Sequence, residues 1–245
     1  MLHSGTLEQR LLHRVFDGAN FFGETEYLIQ GEPPDAGPQA FLATQRAHST
    51  LPVHFHLQDQ FQVVVDGSGT LGPHVLQPLM VHYASREAGY GPIVAGAGGL
   101  KYLTLRAVGD VGAWYLPESR DRLRRGLPKR QLHAGPWAVA GPVALHGRAA
   151  PEVRPVVAAD DQGLAAWIVR LGPDQHADEP RHAGGGGRFL VVAAGAVVLD
   201  ARVLGRLACA FASADEPAVR LRAGRAGAEV LVLQFPAPAA APGAR

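Results

Sequence analysis

The stretch HFHLQDQFQVVVDG, residues 54–67, places two histidines one residue apart, just before a valine-rich segment that ends in glycine. In a β-strand successive side chains point to opposite faces, so His54 and His56 share one face. Gln60 has the same parity, and a bend after Leu57 would bring its carbonyl oxygen towards the same point. The other parity predicts an apolar face packed against a second sheet and made of Phe55, Leu57, Phe61 and Val63.

Two imidazoles one pleat apart can reach the same ion, and an amide oxygen can supply a further ligand. We therefore predict a divalent metal site made of His54, His56 and Gln60. Sites rich in imidazole suit Fe, Zn, Ni or Cu better than Mg or Ca. The alternative is a metal-free site in which the same three side chains hydrogen-bond a polar ligand or water.

The segment starting at Gln60, QFQVVVDGSGTL, has a counterpart in RFLVVAAGAVVL, which starts at Arg188, 128 residues later. The same offset aligns further residues without a gap, namely His48 with His176, Pro52 with Pro180, His54 with His182, Gly67 with Gly195, Gly99 with Gly227 and Leu103 with Leu231. Such a repeat predicts two similar β domains. We assign them to residues 15–110 and 150–236, joined by a linker over 111–149 and followed by a disordered tail over 237–245.

The composition favours a mainly β fold, because 30 glycines and 19 prolines leave little uninterrupted sequence for helices. Six segments rich in branched or aromatic residues are predicted strands: AFLATQR, QFQVVVDG, GLKYLTLRAV, LAAWIVRLG, GRFLVVAAGAVVL and AEVLVLQF. One short helix is predicted in the linker, within LPESRDRLRRGLPKRQ at residues 116–131. Pro117 suits its first turn, and Gly126 ends it.

Charge and cysteine content exclude several classes of partner. A formal net charge of +1 gives no overall field to attract nucleic acid or an anionic membrane. The single cysteine, Cys209, cannot form an internal disulfide, and the N-terminus has no continuous apolar segment. We therefore expect a soluble cytoplasmic protein without nucleic-acid or membrane partners. No Ser-His-Asp set or paired-cysteine site supports a hydrolase or a thiol redox enzyme.

Residues 54–67 resemble the first motif of the cupins, in which His-x-His is followed by a glutamate and then a glycine. His54, His56 and Gly67 match this motif, and Gln60 stands where glutamate is expected. The resemblance implies a barrel of two antiparallel sheets with a metal and small-molecule site inside. Two copies imply a bicupin. Because an amide carries no charge, Gln60 should hold a divalent ion more weakly than a carboxylate would.

The second cupin motif is poorly kept in the segment HYASREAGYGPIVAG. Its last histidine would fall near Tyr90, so the resemblance leaves the third nitrogen ligand to His82 or His74. His82 is favoured because it lies in the apolar segment LMVHY.

The second copy has lost most of these donors. Two of the three first-motif positions carry Gly184 and Arg188, and only His182 remains. We expect this domain to be metal-free. The GGGG run at 184–187 enters a strand and lacks a following Lys, so it is interpreted as a turn and not as a phosphate loop.

Three further residues are candidate ligands for a substrate. Gln62 shares the inward parity of Gln60, Tyr90 lies in the altered second motif, and Arg106 ends a predicted strand. An arginine at a barrel wall can bind a carboxylate with two parallel hydrogen bonds. The alternative is an arginine that simply ends a strand at the surface.

Three functions remain open from the sequence. The first is a metal-dependent dioxygenase or isomerase acting on a small polar molecule, with His54, His56, Gln60 and His82 around the ion. The second is a non-catalytic bicupin that binds a small molecule. The third is a regulatory bicupin similar to pirin. Edge strands of two half-open barrels are also compatible with a homodimer.

Overall fold

The computed structural model describes residues 2–18 and 20–238, and almost all regular structure in it is antiparallel β-sheet. The predicted mainly β class is confirmed. The chain divides into a first compact unit, Gly5–Ala138, and a second that runs from Val139 onward and includes the N-terminal residues up to Ser4. The domain ranges proposed from the sequence stay an interpretation, and from residue 239 the predicted tail lies outside the described residues.

The first unit is built on a nine-stranded sheet in the order β12-β9-β7-β10-β4-β3-β2, with β5 and β8 attached to β10 and β7; β6 and β11 form a separate pair. The strands up to residue 138 are β1 (Leu2–Gly5), β2 (Leu12–Asp17), β3 (Phe22–Gln30), β4 (Gln39–Gln45), β5 (Thr50–Leu51), β6 (His54–Phe55), β7 (Gln60–Leu71), β8 (His74–Leu76), β9 (Val81–Ala84), β10 (Ile93–Arg106), β11 (Trp114–Tyr115) and β12 (Gln131–Ala134).

The second unit is built on an eight-stranded sheet in the order β1-β18-β16-β19-β14-β13, with β15 and β17 attached to β19 and β16. Its remaining elements are α1 (Pro142–His146), β13 (Glu152–Val157), β14 (Ala165–Leu171), β15 (His176–Asp178), β16 (Arg188–Leu199), β17 (Arg202–Leu204), β18 (Cys209–Ala212) and β19 (Arg220–Gln234). All six strands predicted from the sequence are found, as β4, β7, β10, β14, β16 and β19.

The apolar parity of residues 54–67 is buried as predicted, with one exception. Phe55 of β6 is fully buried, and Phe61 and Val63 are at most 1% exposed, because their strand β7 lies inside its sheet between β9 and β10. Leu57, in contrast, is 38% exposed. It lies in the bend between β6 and β7, where strand alternation no longer applies.

The 128-residue repeat has a counterpart in the backbone. Strands β7, β8 and β9 and strands β16, β17 and β18 begin and end at positions separated by that offset. Gly67 and Gly195 both have a positive φ, 75° and 68°. A Cβ atom on Gly67 would lie 2.2 Å from the carbonyl oxygen of Gly99, and one on Gly195 would lie 2.0 Å from that of Gly227. Only glycine fits either position.

The helix predicted within residues 116–131 is shorter than expected. One 3-10 turn, Arg120–Arg122, forms there, and it buries no residue. Since a short helix depends on packing of an apolar face, this charged segment has nothing to stabilise further turns. Arg122 instead stacks on the Trp114 ring, 3.8 Å from its centroid.

Cys209 lies on β18 in the core of the second unit and is fully buried. Burial raises the pKa of its thiol to about 12. Among the residues described, no helix has the length and apolar character needed to cross a lipid bilayer.

Candidate functional site

A cavity of about 660 Å³ opens within the first unit. Its walls include the aromatic side chains of Tyr27, Phe41, Tyr102 and Tyr115. Polar side chains converge on the same space, among them His54, His56, Gln62 and Arg106. A cavity of this size, partly apolar and with a few polar groups, is typical of sites for small organic molecules.

The two histidines of the opening stretch both line the cavity, as strand parity led us to expect. His54 belongs to β6 and is 2% exposed, while His56 follows in the bend. Their ring centroids lie 5.3 Å apart, and the rings are nearly perpendicular, at 89°. The structure therefore brings them together, but the partners of their nitrogens determine what they can bind.

The guanidinium of Arg106 occupies the space beside these histidines. Arg106 is the last residue of β10 and is 3% exposed, because the β7–β10 register pairs Leu105 with Phe61 and so brings it next to Gln60. Its Nε and Nη2 donate to the Gln60 Oε1 oxygen, at 3.1 and 2.9 Å. Its Nη1 donates to Gln39 Oε1 at 2.5 Å, and its Nη2 lies 3.2 Å from His56 Nε2.

A chain of hydrogen bonds runs from Arg106 to His54, and each donor in it is determined by the one before. Because Gln60 Oε1 accepts from the guanidinium, Gln60 Nε2 faces the Tyr90 hydroxyl and donates to it. Tyr90 can then donate to His54 Nε2, 2.9 Å away. His54 Nδ1 donates to the Pro52 carbonyl oxygen at 2.7 Å. Both ring nitrogens of His54 are thus used within the protein.

Asp110 lies on the other side of His56 from Arg106 and forms no ion pair with the guanidinium. Its carboxylate lies 3.4 Å from His56 Nδ1 and accepts hydrogen bonds from the backbone amides of Leu57 and Gly112, at 2.7 and 3.0 Å. Burial alone would raise the pKa of Asp110, but His56, Arg106 and the Gly112 amide together lower it to about 2. Asp110 is therefore ionised, and its oxygens are already occupied.

Burial keeps the imidazoles of the site neutral. Desolvation, then the neighbouring His56, lowers the pKa of His54 to about 3. Desolvation and the charge of Arg106 lower the pKa of His56 to about 4. Burial also raises the pKa of Tyr90 above its ordinary value. A tyrosine that does not ionise beside a histidine that does not protonate is poorly suited to move protons near neutral pH.

His82 and His74 lie in a separate cluster with His133. The rings of His74 and His133 stack at 3.7 Å, and those of His133 and His82 at 4.6 Å. His82 Nδ1 donates to Gln62 Oε1 at 2.8 Å, and its ring touches Tyr90 on its edge, at 5.0 Å between centroids. Sequence reasoning missed His133, because this residue lies on β12, and only the pairing of β12 with β9 places His133 opposite His82.

Comparison with known proteins finds no matching family model and no matching curated protein. Solved structures do match over nearly the whole chain. Escherichia coli pirin YhhW in complex with nickel(II) has a TM-score of 0.59 at 14% identity, covering 97% of this chain and 100% of that one. A putative dioxygenase from Nostoc punctiforme has a TM-score of 0.60 at 14% identity, covering 99% and 81%. Lactobacillus farciminis oxalate decarboxylase in a formate complex has 0.60 at 11% identity, covering 97% and 86%.

The chain has the cupin fold. This agrees with the motif similarity of residues 54–67. At these identities the likeness shows the fold alone, so the chemistry of this protein has to be argued from its own site.

The cupin metal position does not fit a divalent ion as the residues are arranged. The Gln60 oxygen and one edge of His56 face a guanidinium, and His54 Nε2 faces a hydroxyl. His82 lies beyond Tyr90 in the other cluster. Within the described residues no group of three His, Cys, Asp or Glu side chains is placed to hold a metal. Arg106 supplies a positive charge where an ion would otherwise supply it. The metal stays a prediction from the sequence.

The three residues predicted to contact a substrate all line the cavity, but Arg106 differs from expectation. Its Nε and Nη2 edge already holds Gln60, so it cannot bind a carboxylate through that edge in a two-point fashion. One N–H on Nη1 has no partner among the hydrogen bonds found. Gln62 and Tyr90 are largely engaged with His82, His54 and Gln60.

In the second unit the positions at the 128-residue offset are occupied differently. Arg188 stands at the position of Gln60, and Gln234 at that of Arg106. Arg188 forms a buried ion pair with Glu179, 2.6 Å away, and donates to the backbone carbonyl oxygen of Ser213. The buried arginine is therefore paired within the protein here, whereas Arg106 lines a cavity.

Proposed function

We propose that this protein is a tandem cupin whose N-terminal unit binds a small organic anion with an apolar body, without a metal ion. The observation that carries this proposal is the buried charge of Arg106 at the wall of the large cavity. In the described chain its guanidinium contacts two amide oxygens and a neutral imidazole, and no carboxylate. Buried charges are normally paired, so a ligand anion would complete the site.

The walls and the charges narrow the class of ligand. Tyr27 and Phe41 lie 4.9 Å apart at a tilt of 31° and offer a flat apolar surface next to the guanidinium. Arg106 is the buried cation of the cavity, while Arg14 at the wall is exposed. Asp110 already places one negative charge near Arg106. We therefore propose a ligand with one negative charge and not two.

The lowered pKa of His54 and the raised pKa of Tyr90 favour a binding role over proton transfer. The neutral His54 and the un-ionised Tyr90 hold each other in a fixed hydrogen bond, and both are stable in that state at neutral pH. This supports the non-catalytic alternative drawn from the sequence over a dioxygenase or an isomerase.

Three probes of similar shape test the proposal: benzoate, benzyl alcohol and benzylamine. We expect calorimetry to show benzoate binding at least about tenfold tighter than benzyl alcohol, because a hydrogen bond to a charged group is worth about 1.5–3 kcal/mol. Benzylamine should not bind. Equal affinities for the anion and the alcohol would contradict the proposal.

Arg106→Met should abolish the preference for benzoate, and Arg106→Lys should keep part of it because the charge remains. The matched control is Arg120→Met, since Arg120 is exposed and lies outside the cavity. Circular dichroism establishes that each variant is folded.

Metal analysis of protein purified without a histidine tag tests whether the site is free of metal. We expect far less than one equivalent of Fe, Ni, Zn or Cu. One equivalent of metal that disappears in a folded His54→Ala, His56→Ala double variant would overturn the metal-free proposal and restore the metal site predicted from the sequence.

A further inference from the structure

Strand β2 leaves an unprotected edge on the sheet of the first unit. It is the last strand in the sheet order and pairs with β3 alone. All six of its residues are exposed; Val15 is 63% exposed, as is Leu11 just before the strand. Natural proteins usually protect such an edge with charged side chains, especially Lys, with Pro or with a bulge; the segment LHRVFD contains no Lys or Pro, and its charged residues are Arg14 and Asp17. The edge is therefore free to pair with another strand.

The side chains of β2 are complementary to a second copy of the same strand. When two antiparallel edges are related by a two-fold axis normal to the sheet, each residue faces a partner of the same parity. With Val15 opposite itself, Arg14 faces Phe16 and His13 faces Asp17. The first pair brings a cation to an aromatic ring. The second brings a carboxylate to His13, whose Nε2 already lies 2.9 Å from Glu24 Oε2, and each pair occurs twice.

The neighbouring registers are less favourable. If the two-fold axis passes through Arg14, that residue faces itself and two like charges meet at the axis. If the axis passes through Phe16, the apolar Val15 lies opposite the charged Asp17. The register centred on Val15 is thus selected by charge and by apolar contact together.

We propose that the protein forms a homodimer in which the β2 strands of two copies pair edge to edge, with Val15 on the two-fold axis. Arg14 and Phe16 also line the cavity of the first unit. Phe16 of the partner subunit would therefore lie against Arg14 beside the opening of the site. This inference does not depend on the nature of the ligand, because it rests on the strand edge alone.

Sedimentation over a wide range of protein concentrations tests the dimer. We expect the native chain to sediment as a dimer, and Val15→Lys to sediment as a monomer because two ammonium groups would meet at the axis. Val75→Lys is the matched control, since Val75 is an exposed valine of β8, 57% exposed. A monomeric native chain, or a Val15→Lys variant that stays dimeric, would overturn the proposal.

Cross-linking tests the register. Opposed residues of antiparallel strands have Cα atoms about 4.5–5.5 Å apart, which a disulfide can span. In oxidised glutathione, Val15→Cys should form a disulfide-linked dimer, whereas Val75→Cys should not. The native Cys209 is buried and does not interfere. Equal cross-linking of the two variants would contradict pairing centred on Val15.

Discussion

The guanidinium of Arg106 lies against two of the side chains that the cupin motif assigns to a metal, His56 and Gln60. The sequence predicted that His54, His56 and Gln60 point inward, because strand parity is a local property. It could not predict that Arg106, 46 residues after Gln60, would reach them. That contact depends on the register between β7 and β10. Gln39 and Asp110 were missed for the same reason, since no motif contains them.

The same contact predicts how Gln60→Glu behaves. A carboxylate at position 60 would pair with Arg106, so introducing the glutamate of the cupin motif should not by itself create a metal site. Combining it with Arg106→Leu removes the competing cation and should give measurable Ni²⁺ binding in equilibrium dialysis. The single Arg106→Leu variant is the control for charge removal alone. Stoichiometric Ni²⁺ on the Gln60→Glu single variant would show that Arg106 does not compete.

Tyr90→Phe tests the hydrogen-bond chain. Removing the hydroxyl leaves the Nε2 atoms of His54 and Gln60 buried without a partner. We expect a loss of about 1–3 kcal/mol in the free energy of unfolding, measured with urea. Tyr27→Phe is the control and should change stability by less than about 0.5 kcal/mol, because the Tyr27 hydroxyl has no hydrogen bond in the described chain. Equal losses of unfolding free energy for Tyr90→Phe and Tyr27→Phe would argue against the series of hydrogen bonds through Tyr90.

Strands β7 and β16 depend on glycines at equivalent positions. Gly67→Ala and Gly195→Ala should each lower the free energy of unfolding by more than about 1–2 kcal/mol, the cost of a left-handed conformation alone, because the added Cβ also meets a carbonyl oxygen. Gly98→Ala is the matched control, since nothing lies within 4 Å of a Cβ there. Thermal unfolding monitored by circular dichroism provides the measurement. An unchanged stability of Gly67→Ala would mean that the backbone around residue 67 can relax to accommodate the Cβ.

Elements were predicted well where the pattern was periodic and poorly where tertiary contacts decide. The strand containing Arg188 was found from its valines and its glycine boundary. The helix predicted within 116–131 is too long, because the signals at Pro117 and Gly126 mark the ends of a helix but cannot show that the charged residues between them bury nothing. The cluster of His74, His82 and His133 likewise depends on the pairing of β9 with β12.

The whole molecule should lose stability in mild acid. Burial lowers the pKa values of His54 and His82 to about 3, and those of His56 and His133 to about 4, against 6.5 in the unfolded chain. The unfolded state therefore binds more protons below pH 6.5, and stability, full above that pH, falls as the pH decreases towards 4. Urea titrations at several pH values measure this slope. His82→Asn keeps a donor to Gln62 but cannot titrate. It should lower the pH dependence of the unfolding free energy by an amount equal to about one fewer proton taken up on unfolding. An unchanged slope would contradict the contribution of His82.

The single cysteine, Cys209, is a built-in probe of how often the second unit opens. Because the sulfur is sealed in that core, a thiol reagent can modify it only when the surrounding strands open. Labelling kinetics therefore read out the opening free energy of one half of the chain without any engineered probe. Comparing the rate of Cys209 labelling with and without benzoate would show whether a ligand in the cavity of the first unit changes the opening free energy of the second.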